Sequence, residues 1–319
     1  MRRVLVTGGS GFLGSSAVAA LAVHPDVGLV VSGDVRPPAA SVPDGVLTET
    51  CDVTDAAAVA SVVARHRIDT IVHLAAIVNP GGLSEELEYR VDVDGTRNVL
   101  DAAVAGGTAR IVVSSSGAAY GYHPDNPEWL TEDDALRGND EFSYSRHKRL
   151  VEEMLAEYRT AHPELGQVVL RIGTILGPRV ANQITALWDG PRILRIAGSD
   201  SPFVFVWVDD VVGAIVRGAT GPVTGAFNVA GDGRVTVTEI ADAVGTPTIT
   251  VPAGVLAGVL RVARALRLTV HGPERVGFLR YRPVLDNTRL KRDLGYTPAR
   301  TSREALEEYL AVRRTRSLG

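Results

Sequence analysis

The stretch VTGGSGFLGSS, residues 6–16, follows an apolar run, RVLVTG, and precedes an alanine-rich one, GSSAVAALAV. A strand must therefore turn sharply into a helix across its glycines. Two spacings are open: G-x-G-x-x-G through Gly9, Gly11 and Gly14, or G-x-x-G-x-x-G through Gly8, Gly11 and Gly14. Either lets the backbone approach a pyrophosphate while the helix N-terminus offers free N–H groups and the positive end of its dipole. Twenty residues beyond Gly14, Asp34 closes the next apolar run in SGDVRPP. A carboxylate there accepts the ribose hydroxyls of an adenosine and repels a 2′-phosphate. NAD is the expected cofactor; NADP stays open because Arg36, two residues on, offsets part of that repulsion.

Outward from this turn, β-branched runs alternate with helical stretches. LVVSGDV, DTIVHLAA, RIVVSSS and QVVLRIGTI read as strands; TDAAAVASVVARH, VDGTRNVLDAAVAGG and SRHKRLVEEMLAEYRTA read as helices. Near-continuous apolar strands such as 70–74 and 111–113 suit a sheet covered on both faces. The expected fold is α/β, a Rossmann-type doubly wound parallel sheet with a smaller C-terminal α/β substrate-binding region. The dinucleotide-binding domain is placed at 1–170 plus about 204–230, and the substrate-binding region at 171–203 and 231–319. Within 204–230, DDVVGAIVRGA reads as a helix with Asp209 or Asp210 as N-cap, and the arginine-rich residues after Val312 read as a solvated end.

Charge narrows the partners. The 319 residues carry 33 basic and 37 acidic side chains, interspersed, for a net charge of −4, so no basic stripe is present for nucleic acid. The single cysteine, Cys51, excludes an intramolecular disulfide and a cysteine-rich metal site, and reads as a small buried residue at a strand end. No metal-ligand spacing occurs. Met-Arg-Arg runs straight into the first strand without a targeting pattern, and a cytoplasmic protein is expected. VPAGVLAGVLRVARALRLTV, residues 251–270, is interrupted by Arg261, Arg264 and Arg267, so its apolar runs fall short of the ~20 residues of a membrane span. It reads as an amphipathic helix packing on its own domain, in preference to peripheral membrane contact.

Further along, IVVSSSGAAYG, residues 111–121, ends a strand in three serines, and 28 residues beyond Ser116 comes YSRHK, with Tyr144 and Lys148 four apart on one helix face. Here the chain resembles the extended short-chain dehydrogenase/reductase family, also called the NAD-dependent epimerase/dehydratase family. The matches are TGGSGFLG, Asp34, CDVTD, HLAA, VDGTRNVL, the serine run, YSRHK, RIGTILGP, VDDV and LKRDLGYTP, in order.

The resemblance implies that Tyr144 is the general acid/base, that Lys148 activates it and binds the nicotinamide ribose, and that Ser116 orients the substrate oxygen, with Ser115 as the alternative. The residue types fit the task. A free tyrosine hydroxyl, with an ordinary pKa near ~10, is a poor base at neutral pH. A lysine ammonium at ~6 Å in an effective dielectric of ~20 stabilises a phenolate by roughly 2.8 kcal/mol. The resemblance also favours the Gly8, Gly11, Gly14 register, with Phe12 and Leu13 beside it, and implies that Asp52 and Val53 meet the adenine while Leu74, Ala75 and Ala76 border the cofactor. His147, inside the motif, reads as a surface or packing residue.

Three departures bear on the substrate. Thr174 stands where sugar-nucleotide members carry asparagine, Asp92 stands where the helix motif begins with asparagine, and no RxGD precedes the C-terminal motif. Arg280 and Arg282 are the nearby cations, readable as phosphate contacts or as alternating arginines on an exposed strand. The expected function is a nucleotide-sugar epimerase or dehydratase acting by reversible hydride transfer, on a small-molecule substrate such as a nucleoside-diphosphate sugar. The alternatives are a net NAD(P)H-dependent reductase or dehydrogenase of a small or hydrophobic ketone or alcohol, and a non-catalytic cofactor-binding scaffold. Family members also imply a homodimer, paired through the helix bearing Tyr144 and the one from Val93.

Overall fold

The computed structural model describes residues 1–38, 41–78, 83–178, 180, 184–269 and 272–317. Its first half runs β1 (Arg2–Thr7), α1 (Phe12–Ala22), β2 (Val27–Asp34), β3 (Leu47–Thr50), α2 (Ala56–His66), β4 (Thr70–His73), α3 (Glu85–Tyr89), α4 (Gly95–Ala105), β5 (Arg110–Ser116), α5 (Ser143–Ala161) and β6 (Gly166–Ile172). The remainder is β7 (Thr174–Leu176), β8 (Ile193–Ile196), β9 (Phe205–Trp207), α6 (Val208–Thr220), β10 (Gly225–Val229), α7 (Val237–Val244), β11 (Thr248–Val251), α8 (Ala253–Ala265), α9 (Arg275–Arg280) and α10 (Ser302–Ser317).

Seven strands form one parallel sheet in the order β3-β2-β1-β4-β5-β6-β10. Alternate strand residues enter opposite cores, as period-2 geometry demands. Val4, Val6, Val72 and Val112 pack with Ala17, Leu21, Val211 and Ile215 of α1 and α6. Leu5, Ile71, Ile111 and Val113 pack with Val59, Val99 and Leu155 of α2, α4 and α5. The sheet is thus doubly wound, and its strand order reverses between β1 and β4, where such sheets bind ligands beyond the carboxyl ends of their strands.

Gly173 takes the chain out of the sheet: a Cβ there would lie 3.1 Å from the Val204 carbonyl. Beyond it β7 pairs with β9, and β8 with β11, each in parallel. A further core gathers Trp188, Phe203, Phe205 and Trp207 with Leu306 and Tyr309 of α10.

Some elements depart from the sequence reading. Three of the four residues of β3, LTET, are polar, and the strand is mostly exposed at the sheet edge, so it carries little apolar periodicity. The helix expected from Val93 starts earlier, with α3 joined to α4 by a π-helical turn, Arg90–Asp94. Neither Asp209 nor Asp210 caps α6, whose N-cap is Trp207. Asp210 is buried and instead accepts from Tyr296 Oη at 3.0 Å and the Ala299 N–H at 2.7 Å, anchoring the C-terminal segment. The residues after Val312 are solvated, as Arg314 and Thr315 show, but they are helical: α10 continues to Ser317, and Arg313 meets Asp189 at 2.6 Å. Helix α8 is present, but none of its residues is buried and its valines face outward. Leu256, Leu260 and the small residues Ala253, Ala257, Gly258 and Ala263 are partly covered, because the domain touches one side of the helix.

A buried ionic network ties α5, β6 and β10 together. The Arg171 guanidinium donates to Glu152 from Nε and Nη2 and to Tyr120 Oη from Nη1, and Tyr120 Oη donates to Asn228 Oδ1. Arg171→Met should cost about 3–5 kcal/mol in urea unfolding, since Glu152 is left buried without its counter-ion. Arg171→Met combined with Glu152→Leu should recover much of that loss; a single variant as stable as wild type would refute the arrangement.

Candidate active site

At the end of β1 the glycines do different jobs. Gly8 has φ +70°, and a Cβ on it would lie 2.8 Å from the Ala75 nitrogen; a Cβ on Gly14 would lie 2.0 Å from the Gly8 oxygen. Both are required by backbone packing. Gly9 is packed too, with a Cβ 2.2 Å from Ser32 Oγ. Gly11 differs: a Cβ would meet only the Gly8 oxygen, at 3.1 Å, and the residue caps α1 without any side-chain hydrogen bond. The unpaired N–H groups of the first turn of α1 thus face a cradle that a side chain at Gly11 would narrow. Phe12 starts that turn and its ring reaches Gly177, while Leu13 packs on the core below.

Asp34 ends β2 beside this cradle, 9% exposed. Its Oδ2 accepts the Ser10 N–H and its Oδ1 the Arg36 N–H, each at 3.0 Å. These bonds fix the carboxylate and leave lone pairs for two ribose hydroxyls. The Arg36 side chain is exposed, its Nε 3.7 Å from Asp34 Oδ1. Asp52 Oδ1 accepts from the Thr54 N–H and hydroxyl, both at 2.8 Å. Val53 is buried against Gly95, and its carbonyl accepts from Asn98 Nδ2 at 2.9 Å. Sequence reading gave Asn98 no role, although it lies inside VDGTRNVL. Cys51, just before, is buried, and burial pushes its thiol up to about 11.

Ala75 and Ala76 line a small pocket with His73, Asp92, Ser114 and Lys148, at the carboxyl ends of β4 and β5; Leu74, bonded through its N–H to the Thr7 carbonyl at 3.1 Å, precedes them. The Lys148 ammonium donates to the Ser114 carbonyl at 2.9 Å and lies 5.7 Å from the centre of the Tyr144 ring. Ser116 Oγ accepts the Ala118 N–H at 3.2 Å, and the Ala118 carbonyl accepts from Ser145 Oγ at 2.6 Å. Ser145 therefore pins the start of α5 to the turn that follows the serines, a role its place in YSRHK did not reveal. Ser115 is not in this set: it is buried and its hydroxyl donates to Glu152. Strand alternation sends it to the opposite side from Ser114 and Ser116.

Two buried histidines support the pocket. Thr96 donates its hydroxyl proton to the Asp92 carbonyl at 2.6 Å, so His73 Nε2 donates to Thr96 at 3.0 Å and His73 Nδ1 accepts from Thr7 at 2.7 Å. Burial, aided by the Lys148 charge, lowers this imidazole from 6.5 to about 4. His147 is fully buried rather than at the surface; its Nδ1 lies 3.2 Å from Asp92 Oδ2, while Asp92 Oδ1 accepts the Ile77 N–H.

On the substrate side, Thr174 opens β7, its N–H on the Val204 carbonyl. Arg280 ends α9 and Arg282 follows it, so these are not alternating residues of an exposed strand. Arg282 Nη1 donates to the Ser201 carbonyl and hydroxyl, its guanidinium lies 3.9 Å from the Phe203 ring centre, and burial holds it below the usual arginine value. The Nε atoms of Arg280 and Arg282 are buried without hydrogen-bond partners. Between these cations and Tyr144 stand Tyr122, Phe142 and Phe278, with Phe142 6.5 Å from the Tyr144 ring. Sequence reading missed this aromatic wall; Phe142, two residues before Tyr144, was its one local sign. Among the described residues no cluster of metal-ligating side chains occurs, and no helix is long and apolar enough to cross a membrane.

A glycine turn at a helix N-terminus, a buried carboxylate at a strand end and a tyrosine–lysine pair around one switch point fit a dinucleotide-dependent fold. The model of the NAD-dependent epimerase/dehydratase family matches residues 4–230, and the chain belongs to that family, with NAD as its cofactor. An uncharacterised protein of Mycobacterium tuberculosis is 27% identical over 317 residues, covering 97% of this chain and 84% of its own. A 3-diazoavenalumate denitrifying reductase of a Streptomyces species is 30% identical over 245 residues, 72% of this chain and 76% of that one. Among solved structures, the UDP-glucose 4-epimerase of Thermus thermophilus in complex with NAD superposes with a TM-score of 0.74 at 25% identity, covering 98% of this chain and 99% of that chain.

Two outcomes follow. Gly14→Ala should lower stability by roughly 1–3 kcal/mol through overpacking, whereas Gly11→Ala should melt near the wild type yet bind NAD more weakly by calorimetry. The reverse pattern would contradict the division of labour among the glycines. For His73, the unfolded chain binds a proton near 6.5 and the folded one only near 4. Stability is full above 6.5 and is lost as pH falls towards 4, by about 3 kcal/mol. Urea unfolding of wild type and His73→Asn across that window should show a shallower decline in the variant.

Proposed function

We propose that this protein is a nucleotide-sugar epimerase or dehydratase in which Tyr144 moves the proton. The observation that carries the reading is the Lys148 ammonium, held on the Ser114 carbonyl and 5.7 Å from the Tyr144 ring at the carboxyl end of β5. When bound, NAD supplies a hydride acceptor and donor at the carbinol carbon. The chain supplies the rest. Tyr144 Oη, as the phenolate that Lys148 stabilises, takes the hydroxyl proton as the carbonyl forms; the neutral tyrosine then returns that proton as the carbonyl is reduced. Ser116 Oγ already accepts the Ala118 N–H, so its own proton is available to the substrate oxygen.

On this reading Arg280 and Arg282, with Nε atoms unpaired in the substrate region, meet the diphosphate, and Thr174 stands in for the asparagine of sugar-nucleotide enzymes. The substrate lies between residues 1–170 with about 204–230 and residues 171–203 with 231–319. The enzyme works in the cytoplasm as a homodimer paired through α4 and α5. Support comes from the family and from the Thermus enzyme, whose activity is on UDP-glucose.

A second reading has its own observation. Tyr122, Phe142 and Phe278 form an aromatic wall beside Tyr144, which suits net reduction of a hydrophobic ketone and agrees with the likeness to a reductase. Tyr144→Phe should cut turnover by about 10²–10⁴-fold while leaving NAD affinity intact; full activity in the variant would refute the tyrosine's role under either reading. Turnover of UDP-glucose without accumulation of reduced cofactor supports the epimerase, and stoichiometric NAD(P)H consumption with a ketone supports the reductase.

A further inference from the structure

We propose that α8 is a docking surface for an anionic lipid bilayer, with its valine stripe in the interface and its arginines at the headgroups. The inference is independent of the catalytic reading. Val255, Val259, Val262 and Leu266 are 56%, 58%, 60% and 63% exposed. At ~100° per residue their spacing puts all four within about 60° of one another. Ile249 before the helix and Leu268 after it are also exposed, at 43% and 77%. Leu256 and Leu260, on the other side, are the leucines that rest on the domain. A helix whose apolar face points away from its own core lacks the partner that its sequence calls for.

Charge decides among partners. From Ala243 to Pro273 the chain holds no aspartate or glutamate, yet carries Arg261, Arg264 and Arg267, against a net charge of −4 for the whole. The acidic group that faces the helix is Glu274, which pairs with Arg264 at 3.4 Å; Arg261 and Arg267 have no ion-pair partner among the described residues. An apolar stripe on one side of a helix, with arginines on the other and two of the three unneutralised, is the pattern of an interfacial helix on anionic lipid. A second copy of this chain fits less well, because an aliphatic contact between two copies leaves Arg261 and Arg267 without counter-charges. Another protein would be expected to find an aromatic anchor, and the stripe has only aliphatic side chains.

The position gives the contact a use. Helix α9 packs on α8, and its Phe278 lies 5.2 Å from Tyr122 and 5.9 Å from Phe142. Docking through α8 therefore brings the substrate side of the molecule to the bilayer.

Co-sedimentation of the full chain with phosphatidylcholine vesicles, with and without phosphatidylglycerol, tests this. The wild type should bind the mixed vesicles, release at high salt, and bind neutral ones weakly. The Val259→Asp, Val262→Asp double variant should keep its melting temperature and NAD affinity, because both side chains are exposed, and lose vesicle binding by about 10-fold or more. Equal partitioning of the two proteins, or no binding of wild type to either vesicle, would overturn the proposal. So would an oligomer, seen by light scattering, that the variant dissociates while vesicles bind neither protein.

Discussion

The Gly14 backbone sits against the Gly8 carbonyl with no room for a methyl group between them. That contact lets α1 begin immediately beyond β1, aims its unpaired N–H groups across the carboxyl edge of the sheet, and brings Gly8 against Leu74 and Ala75 at the end of β4. Because β1 and β4 are neighbours at the strand-order reversal, the same contact builds the phosphate cradle and one wall of the pocket that holds Lys148. Asp34 is tied into it through the Ser10 N–H, so the glycine turn and the carboxylate are held by one rigid unit.

The catalytic side depends on α5 in a comparable way. Ser145, Lys148 and Glu152 follow at steps of three and four, so they share a face, and each binds a different part of β5 and its extension: the Ala118 carbonyl, the Ser114 carbonyl and the Ser115 hydroxyl. Tyr144 precedes this anchored face and inherits its position from it. His147, between Tyr144 and Lys148, meets Asp92 on the π-helical turn leading to α4. Proton chemistry at a single hydroxyl needs such placement, because its rate falls steeply as hydrogen-bond geometry loosens.

What was legible in the sequence was short-range. The glycine spacing, Asp34 at a strand end, and a tyrosine and lysine four apart are local patterns whose geometry follows from strand and helix periods. The doubly wound sheet was legible because strands covered on both faces are written as apolar runs. The residues that escaped were placed by tertiary contacts. Ser115 and Ser116 are chemically alike, and only the alternation of β5 against Glu152 separates them. Asp210 looked like a helix cap until Tyr296 and Ala299 arrived from 86 and 89 residues away. The wall of Tyr122, Phe142 and Phe278 joins three distant segments. In α8 the apolar period was visible, but not which of its sides the domain would cover.

The central claim is that one glycine turn and the carboxylate of Asp34 together select NAD. Isothermal titration of the purified protein, stripped of nucleotide, with NAD and with NADP tests it most directly. The account predicts at least about 10-fold tighter binding of NAD, because the buried Asp34 carboxylate would face the extra phosphate with only the solvent-exposed Arg36 to offset it. Equal affinities, or a preference for NADP, would contradict it.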